Sequence, residues 1–159
     1  MSKSFPTATD QIVVFTLDEQ LYALPLYTVL RVIHAMEIRH LPEAPEIISG
    51  IINVQGRIIP VVDIRKRFVL RAKEIDPDDR MIIADTGKRQ VALLADTVTG
   101  IRDLAPGQLA IAGEALPFAG HLRGVAKIDD GLVLIYDLEQ FLSLDEEQVL
   151  EQALKRKNR

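Results

Sequence analysis

No cysteine occurs among the 159 residues. That removes disulfides, thiolate nucleophiles and cysteine zinc sites from consideration, and it suits a reducing compartment. Nowhere does the chain run through about 18 apolar residues in succession, so no segment is expected to cross a bilayer as a helix. The opening MSKSFPTATD holds no apolar stretch before Gln11, so a secretory leader is not expected and the cytoplasm is the default location. Positive charge is not in excess. With 19 Lys and Arg against 23 Asp and Glu, the formal net charge is −4, and no basic face of the kind that phosphate contacts require is visible, so nucleic acid is not an expected partner. The patterns G-x-x-x-x-G-K-[ST], G-x-S-x-G and G-x-G-x-x-G are all missing, which leaves phosphate cradles and nucleophile elbows without local support.

What is present is an ordinary globular composition, 48% hydrophobic and 26% charged, in a chain long enough for one domain with a sizeable core. Within it one pattern is used twice. GIINVQGRIIPVVDI lies over GVAKIDDGLVLIYDL without a gap, Gly50 on Gly124 and Asp63 on Asp137, a constant displacement of 74 residues. Upstream, the segment from Ile12 lies over the segment from Met81 at a displacement of 69, which pairs Val29 with Val98. The chain therefore reads as two half-repeats, 11–68 and 80–142, followed by a terminal segment. A lone half of about 60 residues buries too little surface to be robust, so the halves are expected to share a core.

Gln11–Leu17 and Leu21–Leu26 flank Asp18-Glu19-Gln20 and read as strand, turn, strand. Val29–Ile33 is read as a helical turn leading into a strand at Met36–Leu41, and Pro45 to Gly50 as a short helix closed by the glycine in the left-handed conformation. Ile51–Val54 and Ile58–Val62 flank a tight turn at Gln55-Gly56 that needs positive φ at the glycine. The second half repeats the logic, with strands at Met81–Ala84, Gln90–Ala95, Val125–Ile128 and Leu132–Tyr136. Many short strands at regular spacing indicate sandwich or barrel halves. Ser143-Leu144-Asp145-Glu146 has the capping-box pattern and opens a helix to about residue 157, with acids first, Lys155, Arg156 and Lys157 last, and an apolar stripe of Leu150, Ala153 and Leu154. This helix is expected to pack across the β halves.

Residues able to do chemistry are few. Asp63, Asp96 and Asp137 each follow an apolar run, as catalytic carboxylates at strand ends often do. However, no His, Lys or second acid is set beside them by spacing, so turn or capping roles are favoured. His34 and His40 on one extended strand would stand roughly 20 Å apart, too far to share a metal. Catalysis, a metal and a cofactor are accordingly not expected. A recognition surface remains. Leu26, Val29, Val32 and Ile33, next to the Gly50–Gly56 hairpin, either line a groove where the halves meet or simply pack into the core.

At Gly50-Ile-Ile-Asn53-Val-Gln-Gly56 followed by Pro60-Val61-Val62-Asp63-Ile64-Arg65, the chain resembles the CheW family of chemotaxis coupling proteins. Phe15-Thr-Leu, Tyr22-Ala-Leu-Pro25, Leu41-Pro42, Leu94-Ala-Asp96-Thr-Val98, Gly124-Val125 and Ile135-Tyr-Asp137-Leu138 follow in that family's order. The resemblance implies an all-β fold with minor helices, in which two intertwined five-stranded barrel-like subdomains share a hydrophobic core. It also implies a non-enzymatic adaptor, a stand-alone CheW domain linking the cytoplasmic tip of methyl-accepting chemoreceptors to the regulatory domain of the histidine kinase CheA. The partner-binding residues it suggests are Val29, Arg31, Val32, Gly50, Asn53, Gln55, Gly56 and Val98. Two depart from the family pattern, which usually has an acid where Arg31 stands and an arginine where Gln55 stands. The ion pair those positions present in the family is therefore missing, and local charge has moved toward positive.

Overall fold

Two-residue turns set the strand boundaries. Leu17 faces Gln20 across Asp18-Glu19, and Val54 faces Arg57 across Gln55-Gly56. All four central residues take positive φ, 51° and 71° in the first turn and 53° and 90° in the second, the geometry that matches the twist of a hairpin. Asn53 Oδ1 braces the second turn by accepting from Gly56 N at 2.8 Å. The computed structural model describes residues 10–105, 109–111, 122–129 and 131–157. In chain order these form β1 (Asp10–Leu17), β2 (Gln20–Pro25), β3 (Val29–His34), β4 (Ile48–Val54), β5 (Arg57–Val62), α1 (Ile64–Arg67), β6 (Arg80–Asp85), β7 (Gln90–Ala95), β8 (Thr97–Leu104), β9 (Leu109–Ile111), β10 (Leu122–Ile128), β11 (Gly131–Tyr136) and α2 (Leu144–Lys157).

The strands form two sheets, ordered β8-β1-β2-β11-β10-β9 and β3-β6-β7-β5-β4. Each sheet takes strands from both halves of the chain, which is the expected intertwining, and the first gains the three-residue β9 at its edge beyond the expected five. The displacements seen in the sequence recur in the registers. Ile12 faces Pro25 in β1–β2, and 69 residues on Met81 faces Leu94 in β6–β7. Ile12 faces Arg102 in β1–β8, while Met81 faces Ile33 in β6–β3, and both ladders carry a bulge at the matching place, Thr99 and Leu30. Gly50 faces Val61 in β4–β5, and 74 residues on Gly124 faces Ile135 in β10–β11. The parallel pairs match as well, Val61 with Ala92 and Ile135 with Ala23.

Side-chain alternation then separates three apolar cores. Ile12, Val14, Ala23, Ala126, Val133 and Ile135 fill the first barrel; Met81, Ile83, Ala92, Ile52, Ile59 and Val61 fill the second from the equivalent positions. Between the barrels lies the largest core, which includes Phe15, Leu24, Ile51, Ile64, Ile82, Leu93 and a cluster of rings. There Phe68 stacks on Tyr136 at 4.3 Å and on Tyr22 at 5.0 Å between ring centres. Burial pushes the Tyr136 hydroxyl up to about 12, with Tyr22 adding to the shift. α2 lies on this shared core with Leu150 and Ala153 buried. It starts with the expected reciprocal cap, Glu146 N donating to Ser143 Oγ and Ser143 N to Glu146 Oε1, and is tied down by Arg67 to Glu146 and by Arg89 to Glu147 and Glu151.

Two local expectations are corrected. The helical turn comes earlier, as a 3-10 turn at Leu26–Thr28. Val29–His34 is then a full strand against β6, and 36–41 contributes only the single bridge of Arg39 to Ile51. Gly50 ends no helix. It sits within β4 at φ 154°, where a Cβ would lie 2.3 Å from the Arg39 carbonyl oxygen, so the glycine permits the chain to cross β4 at that bridge.

Candidate partner-binding site

β3 is an edge strand of the second sheet, and its bulge at Leu30 turns that residue outward while Arg31 resumes the ladder opposite Ile83. Facing it across the mouth of the second barrel is the β4–β5 turn with Gln55 and Arg57. Between them lies a groove of about 320 Å³, with Ile59, Ile83 and Val54 as its apolar lining and Leu30, Arg31, Gln55, Arg57 and Gln90 on its rim. Arg31 and Gln55, which are 24 positions apart in sequence, are thus brought to one site. A second cavity of about 380 Å³ on the other side of the hairpin is lined by Asn53 together with Met36, Arg39, Ile58 and Lys157.

The remaining residues suggested by the sequence are placed differently. Val32 is exposed on β3 next to Arg31, and Gly56 is exposed in the turn next to Gln55. Val29 and Val98, equivalent by the 69-residue displacement, are half-buried and pack against the shared core, one in each sheet. Gly50 is buried beneath Arg39. Arg57 and Leu30 were not singled out from the sequence. Arg57 could have been found from its place two residues past Gln55 in the same hairpin, but Leu30 faces the groove only because of the bulge.

The three aspartates are accounted for without chemistry. Asp63 caps α1 by accepting from Lys66 N, and Asp137 caps the 3-10 turn Leu138–Gln140 by accepting from Glu139 N. Asp96 does more than stabilise a turn. It accepts from Asp18 N at 2.9 Å, and Arg65 Nη2 reaches both of its oxygens at 3.0 Å while also pairing with Asp18 at 2.9 Å. Lys73 approaches at 3.6 Å. Partial burial raises the Asp96 carboxyl, but the Asp18 N–H, Arg65 and Lys73 outweigh it and hold the group below the usual carboxylate range. A carboxylate so compensated is poorly suited to carry a proton near neutral pH. Among the described residues no group of three or more His, Cys, Asp or Glu is placed to hold a metal.

Residues 11–146, spanning both barrels and the start of α2, match the family model of the CheW-like domain. The chain belongs to the CheW family. Among curated CheW-family relatives, the chemotaxis protein CheW of Klebsiella aerogenes is 24% identical over 151 residues, covering 94% of this chain and 91% of its own. That of Thermotoga maritima is 28% identical over 132 residues, covering 83% and 87%. The crystal structure of the scaffolding protein TtCheW from Thermoanaerobacter tengcongensis superposes with a TM-score of 0.80 at 32% identity, covering 87% of this chain and 95% of that one. The double-barrel architecture described above is thus the CheW architecture. Among the described residues no helix is long and apolar enough to cross a membrane.

Proposed function

We propose that this protein is a non-enzymatic coupling adaptor, working in the cytoplasm at receptor arrays, that joins the cytoplasmic tip of chemoreceptors to the regulatory domain of the histidine kinase CheA. The observation that carries the reading is the family match across 11–146, which covers both barrels and the shared core rather than one motif. We place partner contact at the mouth of the second barrel, where Arg31 and Gln55 stand on the rim of an apolar lining and their exposed chain neighbours Val32 and Gly56 extend the surface. Asn53 shapes the turn, Val29 and Val98 pack against the shared core, and Gly50 admits the Arg39 crossing. A central apolar contact with a charged rim is the usual division of labour in such interfaces, the centre supplying affinity and the rim choosing the partner.

Titration calorimetry of the purified protein against the CheA regulatory domain of the same genome, and then against the receptor tip fragment, tests this. Saturable binding to both is expected. A folded protein silent toward the kinase domain would remove the coupling reading, and kinase binding without receptor binding would reduce the protein to a filler between kinase and receptor units.

A further inference from the structure

The groove's apolar lining is a consequence of the fold, whereas its two guanidinium groups are not. The equivalent registers of the two barrels make this separable, because each position at the second mouth has a counterpart at the first. Val54, Ile59 and Ile83 become Ile128, Val133 and Val14, so the lining stays apolar. Arg31 and Arg57 become Gly100 and Gly131, and Gln55 becomes Asp129. A barrel of this design therefore closes without a cation at either place. Arg65, Arg67, Lys73, Arg89, Arg102 and Arg156 each pair with a carboxylate. Arg31 and Arg57, both exposed, do not do so among the described residues. The rim thus carries two planar donor forks that no acid among the described residues receives, above a lining suited to an aliphatic side chain. At about 320 Å³ and open to solvent, the space lies at the small end of ligand pockets and suits side chains presented by another surface.

We propose that this groove takes an acidic segment of a protein partner in which Glu or Asp stands beside aliphatic residues. The carboxylate is held by Arg31 and Arg57, and the aliphatic side chain lies on Val54 and Ile59. Arginine is the side chain best matched to a carboxylate, through paired N–H donors. The same rim repels a basic segment, so the two arginines select as well as bind. The inference rests on the adaptor reading for the identity of the partner but not for the chemistry of the site.

The test uses the full-length chain, labelled with nitrogen-15, and two short peptides that differ only in a Leu-Glu-Glu-Leu or Leu-Lys-Lys-Leu segment. The acidic peptide is expected to shift the amides of residues 30–31, 54–57 and 90. It should bind about tenfold more tightly than the basic one, as one charge-assisted contact allows, and weaken as salt is raised from about 50 to 300 mM. Arg31→Gln combined with Arg57→Gln should erase the preference without disturbing the rest of the spectrum. Equal response to both peptides, shifts mapping elsewhere, no shift at millimolar peptide, or an unchanged preference in the double variant would each overturn the proposal. Acidic preference together with failed kinase binding in the calorimetry would leave the groove's chemistry standing and sink only the coupling role.

Discussion

Asp96 is the residue on which separate parts of the chain converge. Arg65 comes from α1 and Asp18 from the β1–β2 turn, and Asp96 itself sits between β7 and β8, so one carboxylate links a helix and both sheets. The guanidinium at the centre has only 10% of its side-chain surface exposed, and removing a partner from such a group costs more than the pair contributes, because the charge stays buried. With Asp18 still available to Arg65, Asp96→Asn should lower stability by about 1–3 kcal/mol. The pH dependence follows from the direction of the shift. A carboxyl held lower in the folded state than its ordinary 3.8 contributes stability above that value and loses it as pH falls through the folded value. In urea unfolding the gap between wild type and Asp96→Asn should be constant from about pH 5 to 8 and narrow below about pH 4. A gap as wide at pH 3 as at pH 6 would show that the ion cluster is not its source. The sequence could not show this cluster, since Asp18, Arg65 and Asp96 are far apart in the chain and meet only through the crossing of the halves.

The β4–β5 hairpin shows which parts of an element can be read locally. Its turn was legible because positive φ, Asn53 and Gly56 lie within a few residues of one another, and the caps at Asp63, Asp137 and Ser143 were legible for the same reason. The role of Gly50 was not, because the group that excludes a side chain there, the Arg39 carbonyl, belongs to a segment read as a strand and found to make one bridge. The two glycines of this hairpin should therefore respond differently to alanine. At Gly56 a Cβ meets nothing within 4 Å, so Gly56→Ala bears only the backbone cost of φ 90°, about 1 kcal/mol. At Gly50 the Cβ would press on backbone at 2.3 Å and on Ile38 at 2.7 Å, so Gly50→Ala should cost about 3 kcal/mol or more and displace the Arg39 crossing. Chemical denaturation of both variants decides it; equal losses would mean that the crossing yields easily. The same distinction explains the groove. Gln55 and Arg31 follow from the family pattern, but Leu30 joins the rim at a bulge that the sequence does not signal.

At the scale of the molecule, the repeat and the intertwining together determine what can fold alone. Within 11–68 the ladders are the hairpins β1–β2 and β4–β5, and within 80–142 they are β6–β7, β10–β11 and the short β9–β10 pairing. Among the described residues, every ladder that joins one hairpin to another crosses between the halves: β1 with β8, β3 with β6, β2 with β11 and β5 with β7. An isolated half therefore keeps hairpins that are marginal in water and has nothing to pair β3 or β8, although each half carries a full set of apolar faces. These crossing ladders lead to the prediction that neither half folds alone. Fragments 11–68 and 80–159, produced separately, should each lack cooperative thermal unfolding by circular dichroism. Mixed in equal amounts, or co-expressed, they should recover it, because the four crossing ladders form as readily between chains as within one, apart from the entropy of association. A cooperative transition in either fragment alone would mean that one barrel closes on its own strands, and the shared core would then join two domains instead of creating one.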